Sequence, residues 1–243
     1  MTRIMTYNVH LCIGTDRRLD PGRIADVIAA QNPDIIALQE LDVGRARTGG
    51  LDQAHDLARR LGMRFHFNPA MAFEAEAYGD AILTNLPERL VRAGPLPGYP
   101  PVPHLEPRGA LWVAVQVGDY ELQVITTHLG LVPGEQRLQA AALAGINWLG
   151  SPGRNNPTIL LGDLNAHRRS QVCKTLLHGL RDTRQLVKGA GAVSTFPSTL
   201  PIVGIDHVFV SDDVRVTSIM TPLDRLTRQA SDHLPLVVDF DIT

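Results

Sequence analysis

Residues 158–165, Thr-Ile-Leu-Leu-Gly-Asp-Leu-Asn, restrict the fold more than any other stretch of this sequence. The run opens with uninterrupted apolar residues, the pattern of a strand buried on both faces. The sheet that holds it therefore needs a packed layer on each side. Gly162, Asp163, Leu164 and Asn165 close the run. Side chains alternate along an extended chain, so Asp163 and Asn165 are expected to point the same way, roughly 7 Å apart. A carboxylate and a carboxamide at the end of a rigid strand are well placed to hold a metal-bound water or a phosphate oxygen. Gly, Asp and Asn also favour turns, and a plain turn is the alternative for this stretch read alone.

The rest of the chain supplies candidates for the flanking layers. Arg3 to Val9 reads as a first strand, with Ile4, Thr6, Asn8 and His10 on one face. Asp20-Pro21 offers an N-cap and a first-turn proline to a helix carrying Ile24, Val27 and Ile28, which Asn32-Pro33 stops. A buried strand from Asp34 to Leu38 then delivers Gln39 and Glu40. After a Gly-rich loop from Val43 to Gly50, residues Leu51, Ala54, Leu57, Ala58 and Leu61 mark a second amphipathic helix, closed by Gly62.

Strands are expected at 63–68 and 81–85, and a hairpin at 110–117 and 121–127. Helices are expected at 138–149 and 170–177, and short strands at 205–210, 214–220 and 236–240. Gly94 to Pro107 is proline-rich and reads as a stiff rim loop, because strand signals resume at once. Strand–helix units followed by hairpins predict a mixed sheet system with helices outside, in one domain over 1–243.

Several apolar strands end in a residue that can bind a hard metal or move a proton. These residues are Asn8 and His10, Glu40, His128, Asp163 and Asn165, Asp206 and His207, and Asp232 and His233. Singly, each has a structural explanation as a turn cap, a solvated charge or a satisfied core histidine. Together they form a chemical set. Carboxylate and amide oxygens suit Mg²⁺ or Mn²⁺, and an Asp paired with a His makes an oriented base. A second His can stabilise a phosphoryl oxygen, which completes the inventory for metal-assisted phosphoester hydrolysis. The two cysteines, Cys12 and Cys173, indicate neither a disulfide framework nor a Cys-based zinc site.

Seven segments carry this set in order: 6–10 (Thr-Tyr-Asn-Val-His), 37–40 (Ala-Leu-Gln-Glu), 78–83 (Tyr-Gly-Asp-Ala-Ile-Leu), 127–129 (Thr-His-Leu), 162–165 (Gly-Asp-Leu-Asn), 205–208 (Ile-Asp-His-Val) and 231–235 (Ser-Asp-His-Leu-Pro). With them the chain resembles the endonuclease/exonuclease/phosphatase family over nearly its whole length. The resemblance implies an α/β (α+β) fold, a four-layer sandwich of two packed mixed β-sheets flanked by helices, with one active site at an edge. It implies Glu40 as principal Mg²⁺ ligand with Asn8 beside it, and Asp232 as a further carboxylate near the metal. Asp163 and Asn165 would position water and phosphate, Asp206 would orient His233, and His128 would stabilise the pentavalent transition state. His233 is the first choice for the base, with Asp163 the alternative.

Spacing supports part of this. Adjacent residues of an extended chain face opposite ways, so the distant Asp206 suits His233 better than Asp232 does, and His207 reads as structural. His10 shares the strand face of Asn8 and is a candidate for substrate contact, with Tyr78, Arg108 and Arg168 beside it. Arg45, Arg47 and Arg169 lie near motif ends and are equally well read as solvated charges.

The net charge of −2 argues against an enzyme that clamps long nucleic acid through many phosphates. No Trp stands near Pro201–Ile205, where abasic-site endonucleases carry one, and no inositol-phosphatase lysine signature is present. The compact chain looks most like small bacterial members, which makes a small or lipid-type phosphodiester the first expectation. A DNA or RNA nuclease and a non-catalytic binding module are the alternatives. A two-metal phosphatase of the calcineurin type is disfavoured, because Asn8-Val9-His10 lacks the needed Asp. The opening residues carry no apolar leader, no segment is long enough to span a bilayer, and no protein partner is evident, so a cytoplasmic enzyme is expected.

Overall fold

The structure is a computed structural model that describes residues 1–154, 157–187 and 193–243. One sheet contains β1 (Thr2–Asn8), β2 (Ile35–Val43), β3 (Arg64–Phe73), β4 (Glu76–Thr84), β11 (Val214–Met220) and β12 (Leu236–Ile242), in the order β11-β12-β1-β2-β4-β3. The other contains β5 (Glu88–Pro95), β6 (Gly109–Val117), β7 (Tyr120–His128), β8 (Thr158–Asp163), β9 (Arg181–Asp182) and β10 (Asp206–Val210), in the order β5-β6-β7-β8-β10-β9. Both sheets are mixed, with β1–β2 and β7–β8 the parallel neighbours.

The sheets pack face to face. Ile4, Ile35, Ala37 and Ile82 of the first meet Leu111, Val113, Val124, Ile159, Leu161 and Val208 of the second. Helices α1 (Pro21–Gln31) and α2 (Gln53–Leu61) cover the outer face of the first sheet, with Ile24, Ile28 and Leu57 against Met5, Tyr7, Ile36 and Leu38. Helices α3 (Pro133–Ala144) and α4 (Gln171–Leu176) cover the second, with Leu143, Val172 and Cys173 against Trp112, Ile125, Leu160 and Phe209. This is the expected four-layer sandwich, and it explains the apolar runs: every central strand is buried on both faces.

Helix starts follow local chemistry. Asp20 and Asp52 accept from the backbone N–H groups of Arg23 and His55, capping α1 and α2. Helix α3 begins at Pro133 rather than 138, because Pro fits the first helical turn, and it ends at Ala144. The strand β5 and the helices α5 (Thr183–Leu186) and α6 (Arg225–Ala230) were not expected from sequence. In β5 Arg, Glu and Gly interrupt the strand pattern at an exposed sheet edge, and α6 is held by a capping box between Asp224 and Thr227 rather than by an apolar stripe.

β2 runs past the expected end at Leu38 by means of a bulge. Leu38 pairs with Ala81 and Leu41 with Gly79, so Gln39 and Glu40 together oppose Asp80, and Glu40 sits at φ +62°. A bulge re-aims one side chain out of the pleat, and here that side chain is Glu40.

Gly162 in β8 also has a positive φ, +142°, and a Cβ there would overlap the Thr127 carbonyl of the neighbouring strand. Gly162→Ala is therefore expected to destabilise the fold by about 2–4 kcal/mol, strain and overlap combined. Urea unfolding measures this; a change within about 0.5 kcal/mol would mean that β7 and β8 separate freely.

Candidate active site

Strand polarity gathers the polar groups. Because β1 runs parallel to β2 and β7 parallel to β8, all four strands end at one edge of the sandwich. There His128 and Asp206 are both registered directly opposite Asp163, the one from β7 and the other from antiparallel β10. Below them, buried Gln39 joins the sheets, accepting from the Thr6 hydroxyl and donating to that of Thr126, both at 3.2 Å.

Asn8 spans the gap between the two sheets. Its amide nitrogen donates to Glu40 Oε1 at 2.9 Å and to Asp163 Oδ2 at 3.0 Å, while its oxygen accepts from the backbone N–H of His10 at 3.0 Å. Asp163 Oδ1 accepts from the backbone N–H of Asn165 at 2.8 Å, and Asn165 has φ +48°. The strand thus ends in an Asx-turn at Asp163, so strand alternation does not govern Asn165. The turn itself carries the two polar groups.

His233 comes from the loop before β12. Ser231 donates its hydroxyl to the Asn8 carbonyl at 2.8 Å and accepts from the His233 backbone N–H at 3.2 Å, which fixes that loop against β1. The ring lies 4.9 Å from that of Phe196, with Nδ1 2.9 Å from Asp206 Oδ2 and Nε2 3.6 Å from Asp163 Oδ2. Burial works to lower the His233 pKa, but the charge and hydrogen bond of Asp206, with Asp163 beyond, raise it to about 10. Burial opposes the ionisation of Asp206, and pairing with His233 overcomes it, leaving that carboxyl below the usual range. At Asp163 burial dominates, the charge of Asp206 adds to it, and the pKa rises to about 7 despite His233.

His128 is fully buried between Arg108, whose Nη1 lies 3.0 Å from Nδ1, and Asn165, whose Nδ2 lies 3.0 Å from Nε2. Burial first, then the charges of Arg108 and His233, push its pKa well below the ordinary value, so the ring is neutral. A guanidinium has no lone pair, so Nδ1 must accept and the single ring proton sits on Nε2. The Asn165 amide nitrogen is fixed by the Leu129 carbonyl at 2.9 Å. The Nε2–H thus faces Asp163 Oδ2 at 3.6 Å with the Asn165 amide NH₂ beside it, and a phosphoryl oxygen would satisfy both donors.

The other expected residues fall into two groups. Glu40, Tyr78 and Arg108 lie in the site; Arg108 is buried and held by Glu106 at 2.7 Å and by the Tyr78 hydroxyl. Asp232 and His10 stand at its mouth, 39% and 43% exposed and 3.8 Å apart. His10 is not on the strand face of Asn8: β1 ends at Asn8, and residues 10–12 form a turn with positive φ throughout. Arg168 is exposed and makes no hydrogen bond or ion pair to a site group among the described residues. Arg47 is bound to Asp42 at 2.7 Å and lies over the Tyr78 ring, and Arg45 faces Glu76 at 3.6 Å, so neither is a free cation. His207 is buried against the Ala166 carbonyl at 2.8 Å, in a structural position.

Asp80 and Ser231 are the site residues that sequence reasoning passed over. Asp80 is buried, accepts from the Glu40 backbone N–H and faces Arg108; burial raises its pKa to about 7. Its acceptor oxygen holds the bulged peptide that aims Glu40. Its signal was its place two residues after Tyr78 in the 78–83 segment, on the same strand face.

Among the described residues, Asp163, Asp206 and His233 place ligand atoms within 4.8 Å of one another. Glu40 adds a carboxylate beside them, whereas Asn8, expected as a metal ligand, presents its amide nitrogen to Glu40 and Asp163 and turns its oxygen to the His10 N–H. Burial raises the Glu40 pKa, and the negative charge of Asp232 raises it further, a like-charge pairing that a cation would relieve. A donor set made mostly of carboxylate oxygens, with one imidazole and no cysteine, fits a hard divalent ion.

Residues 5–233 match the model of the family described as Endonuclease/Exonuclease/phosphatase family. No curated protein matches the chain. A solved endonuclease/exonuclease/phosphatase from Beutenbergia cavernae is similar at 26% identity and TM-score 0.81, over 99% of this chain and 71% of that one. A mannosyl-6-phosphatase of Bacteroides thetaiotaomicron shares the fold at 20% identity and TM-score 0.80, over 100% of both chains. The human Nocturnin catalytic domain with bound sulfate shares it at 22% identity and TM-score 0.72, over 100% of this chain and 93% of that one.

Proposed function

We propose that this chain, which belongs to the endonuclease/exonuclease/phosphatase family, is a divalent-metal-dependent phosphoesterase formed by a single domain over 1–243. Its reaction is in-line attack of an activated water on a phosphodiester, with a small or lipid-type phosphodiester as substrate. The observation that carries this reading is the convergence of two imidazoles on one carboxylate oxygen, His128 and His233 each 3.6 Å from Asp163 Oδ2.

Glu40 and Asp232 would hold Mg²⁺ or Mn²⁺, which when bound polarises a phosphoryl oxygen, and the Asn8 amide nitrogen would orient the Glu40 carboxylate beside it. His128 Nε2–H and the Asn165 amide N–H stabilise the charge that grows on the phosphoryl oxygen between them. Asp206 keeps the proton of His233 at Nδ1 and the ring cationic. In that state the Asp163 carboxylate is the group able to accept the proton of the attacking water. His233 contributes its positive charge and a proton at Nε2. This assigns to Asp163 the base role for which His233 was the first expectation. Tyr78 and Arg108 act behind His128, fixing its tautomer.

A nuclease reading is weakened by the ion pairs of Arg45 and Arg47, which remove cations from the rim. A non-catalytic binding module is disfavoured by a complete set of proton-handling groups. The test is a screen of purified protein against phosphodiesters, phospholipids, abasic and single-stranded DNA, RNA and inositol phosphates, with Mg²⁺ or Mn²⁺ added. Hydrolysis of a small or lipid-type diester that the Glu40→Ala protein fails to catalyse is expected. Equal rates for the two proteins on every substrate would reject the phosphoesterase reading.

A further inference from the structure

Three stretches that adjoin the site residues Arg108, His128 and Asp206 along the chain lack a single Asp, Glu, Lys or Arg: 96–105, 129–134 and 195–205, in a chain that is 20% charged. The first two are in contact. The Tyr99 ring lies where a Cβ on Gly134 would stand, and Gln139 of α3 donates to the Pro97 carbonyl at 3.4 Å. The third meets the loop that carries His233, with Phe196 against His233 and the Ser198 backbone N–H donating to the Asp232 carbonyl at 2.7 Å. Large apolar side chains stand open on all three: Val102, Leu131, Leu200 and Ile202, between 41% and 72% exposed.

Within the first stretch lies an open pocket of about 320 Å³, lined by Tyr99, Pro100, Val102, His104 and Leu105 among others, none of them acidic or carrying a permanent charge. Leu105 precedes by three residues, at most about 10 Å of chain, the Arg108 whose guanidinium touches His128. The stretch thus reaches His128 from its Arg108 side, and Tyr99 against Gly134 joins it to the segment whose Leu129 carbonyl holds the Asn165 amide.

We propose that this pocket is the subsite for the alkyl chain of an amphiphilic phosphoester, an assignment that rests on the phosphoesterase reading and names its substrate class. A second phosphate would find no counter-charge on these walls, so a polyanionic chain gains nothing by lying here. An alkyl chain loses water on both sides by doing so. The pocket is concave and lies at the small end of ligand-site volumes, about 300–1,000 Å³, which suits one chain rather than a flat lipid surface.

A series of alkyl 4-nitrophenyl phosphates from methyl to octyl, each below its aggregation concentration and with Mg²⁺ present, tests this. kcat/KM is expected to rise about two- to fourfold per methylene until the pocket fills. In Val102→Asp and in Leu105→Asp, the octyl-to-methyl ratio is expected to fall at least about tenfold. Calorimetric binding of the matching alkyl phosphonates reads the same slope without turnover. Chain-dependent binding without any hydrolysis would support the pocket while rejecting the phosphoesterase reading. A flat series in both rate and binding, or tighter binding of a dinucleotide than of the octyl compound, would overturn the pocket assignment.

Discussion

Replacing His233 by glutamine is expected to lower kcat/KM for the accepted phosphodiester by roughly 10³- to 10⁴-fold while the protein stays folded. Glutamine is the informative substitution. Alanine would strip buried Asp206 of its partner at 2.9 Å, and removing one member of a buried pair costs about 3–5 kcal/mol. Glutamine retains an N–H for that carboxylate and loses the cation. Urea unfolding beside the kinetics separates the two effects. A rate within about threefold of wild type in a folded His233→Gln protein would remove His233 from the mechanism.

The pH profile distinguishes the two assignments of the base. Turnover by the Asp163 route needs Asp163 ionised, so the rate climbs as pH rises through its pKa, pushed up to about 7. It also needs His233 protonated, so the rate declines as pH passes the His233 value, raised to about 10. The expected profile at fixed metal concentration is a bell. Asp206→Asn removes a charge that raises both His233 and Asp163, so the alkaline limb and the acid limb both move to lower pH. Were neutral His233 the base, the same substitution would move only the acid limb down and widen the active range, so the alkaline limb is the one that discriminates.

The layer architecture was readable in the sequence because burial on both faces leaves a plain signature. Ile35–Leu38 and Thr158–Leu161 could only be inner strands. Exposed elements left weaker signals: Arg and Glu in β5 hide a strand that pairs along one side only, and the short α6 depends on its cap. Within the site, identity was more legible than geometry. Glu40, Asp163 and Asn165 were named from their segments, yet two of them reach the site by departing from strand alternation. Glu40 does so through the bulge at φ +62° and Asn165 through the turn at φ +48°. A periodicity argument assumes regular backbone, and functional positions are where that assumption fails. Asp80 was overlooked for a related reason, since its task is to hold a neighbouring peptide rather than to meet the substrate.

Glu40 is the second position where a single change should have a large effect. In Glu40→Gln the side chain keeps its volume and an oxygen for the Asn8 amide, now 2.9 Å from Oε1, so the bulge held by Asp80 has no reason to rearrange. What disappears is one negative charge at a partly buried position that already resists ionisation and feels the charge of Asp232. Losing a carboxylate from a site that relies on few protein ligands for a hard ion removes most of its affinity, because neutral amide oxygens are poor substitutes for charge. The expected result is a loss of Mn²⁺ binding by at least about 100-fold in calorimetry, with kcat/KM at saturating wild-type metal reduced by roughly 10³-fold or more. Chelator should silence the wild-type protein, and Mg²⁺ or Mn²⁺ should restore it. Raising the metal concentration should recover part of the Glu40→Gln rate, because the defect lies in binding the ion and the proton-handling groups are intact. Full activity of the wild-type protein in chelator, or a Glu40→Gln protein with unaltered Mn²⁺ affinity, would show that the acidic cluster at this sheet edge serves the fold and that the phosphoryl group is handled by His128, Asn165 and His233 alone.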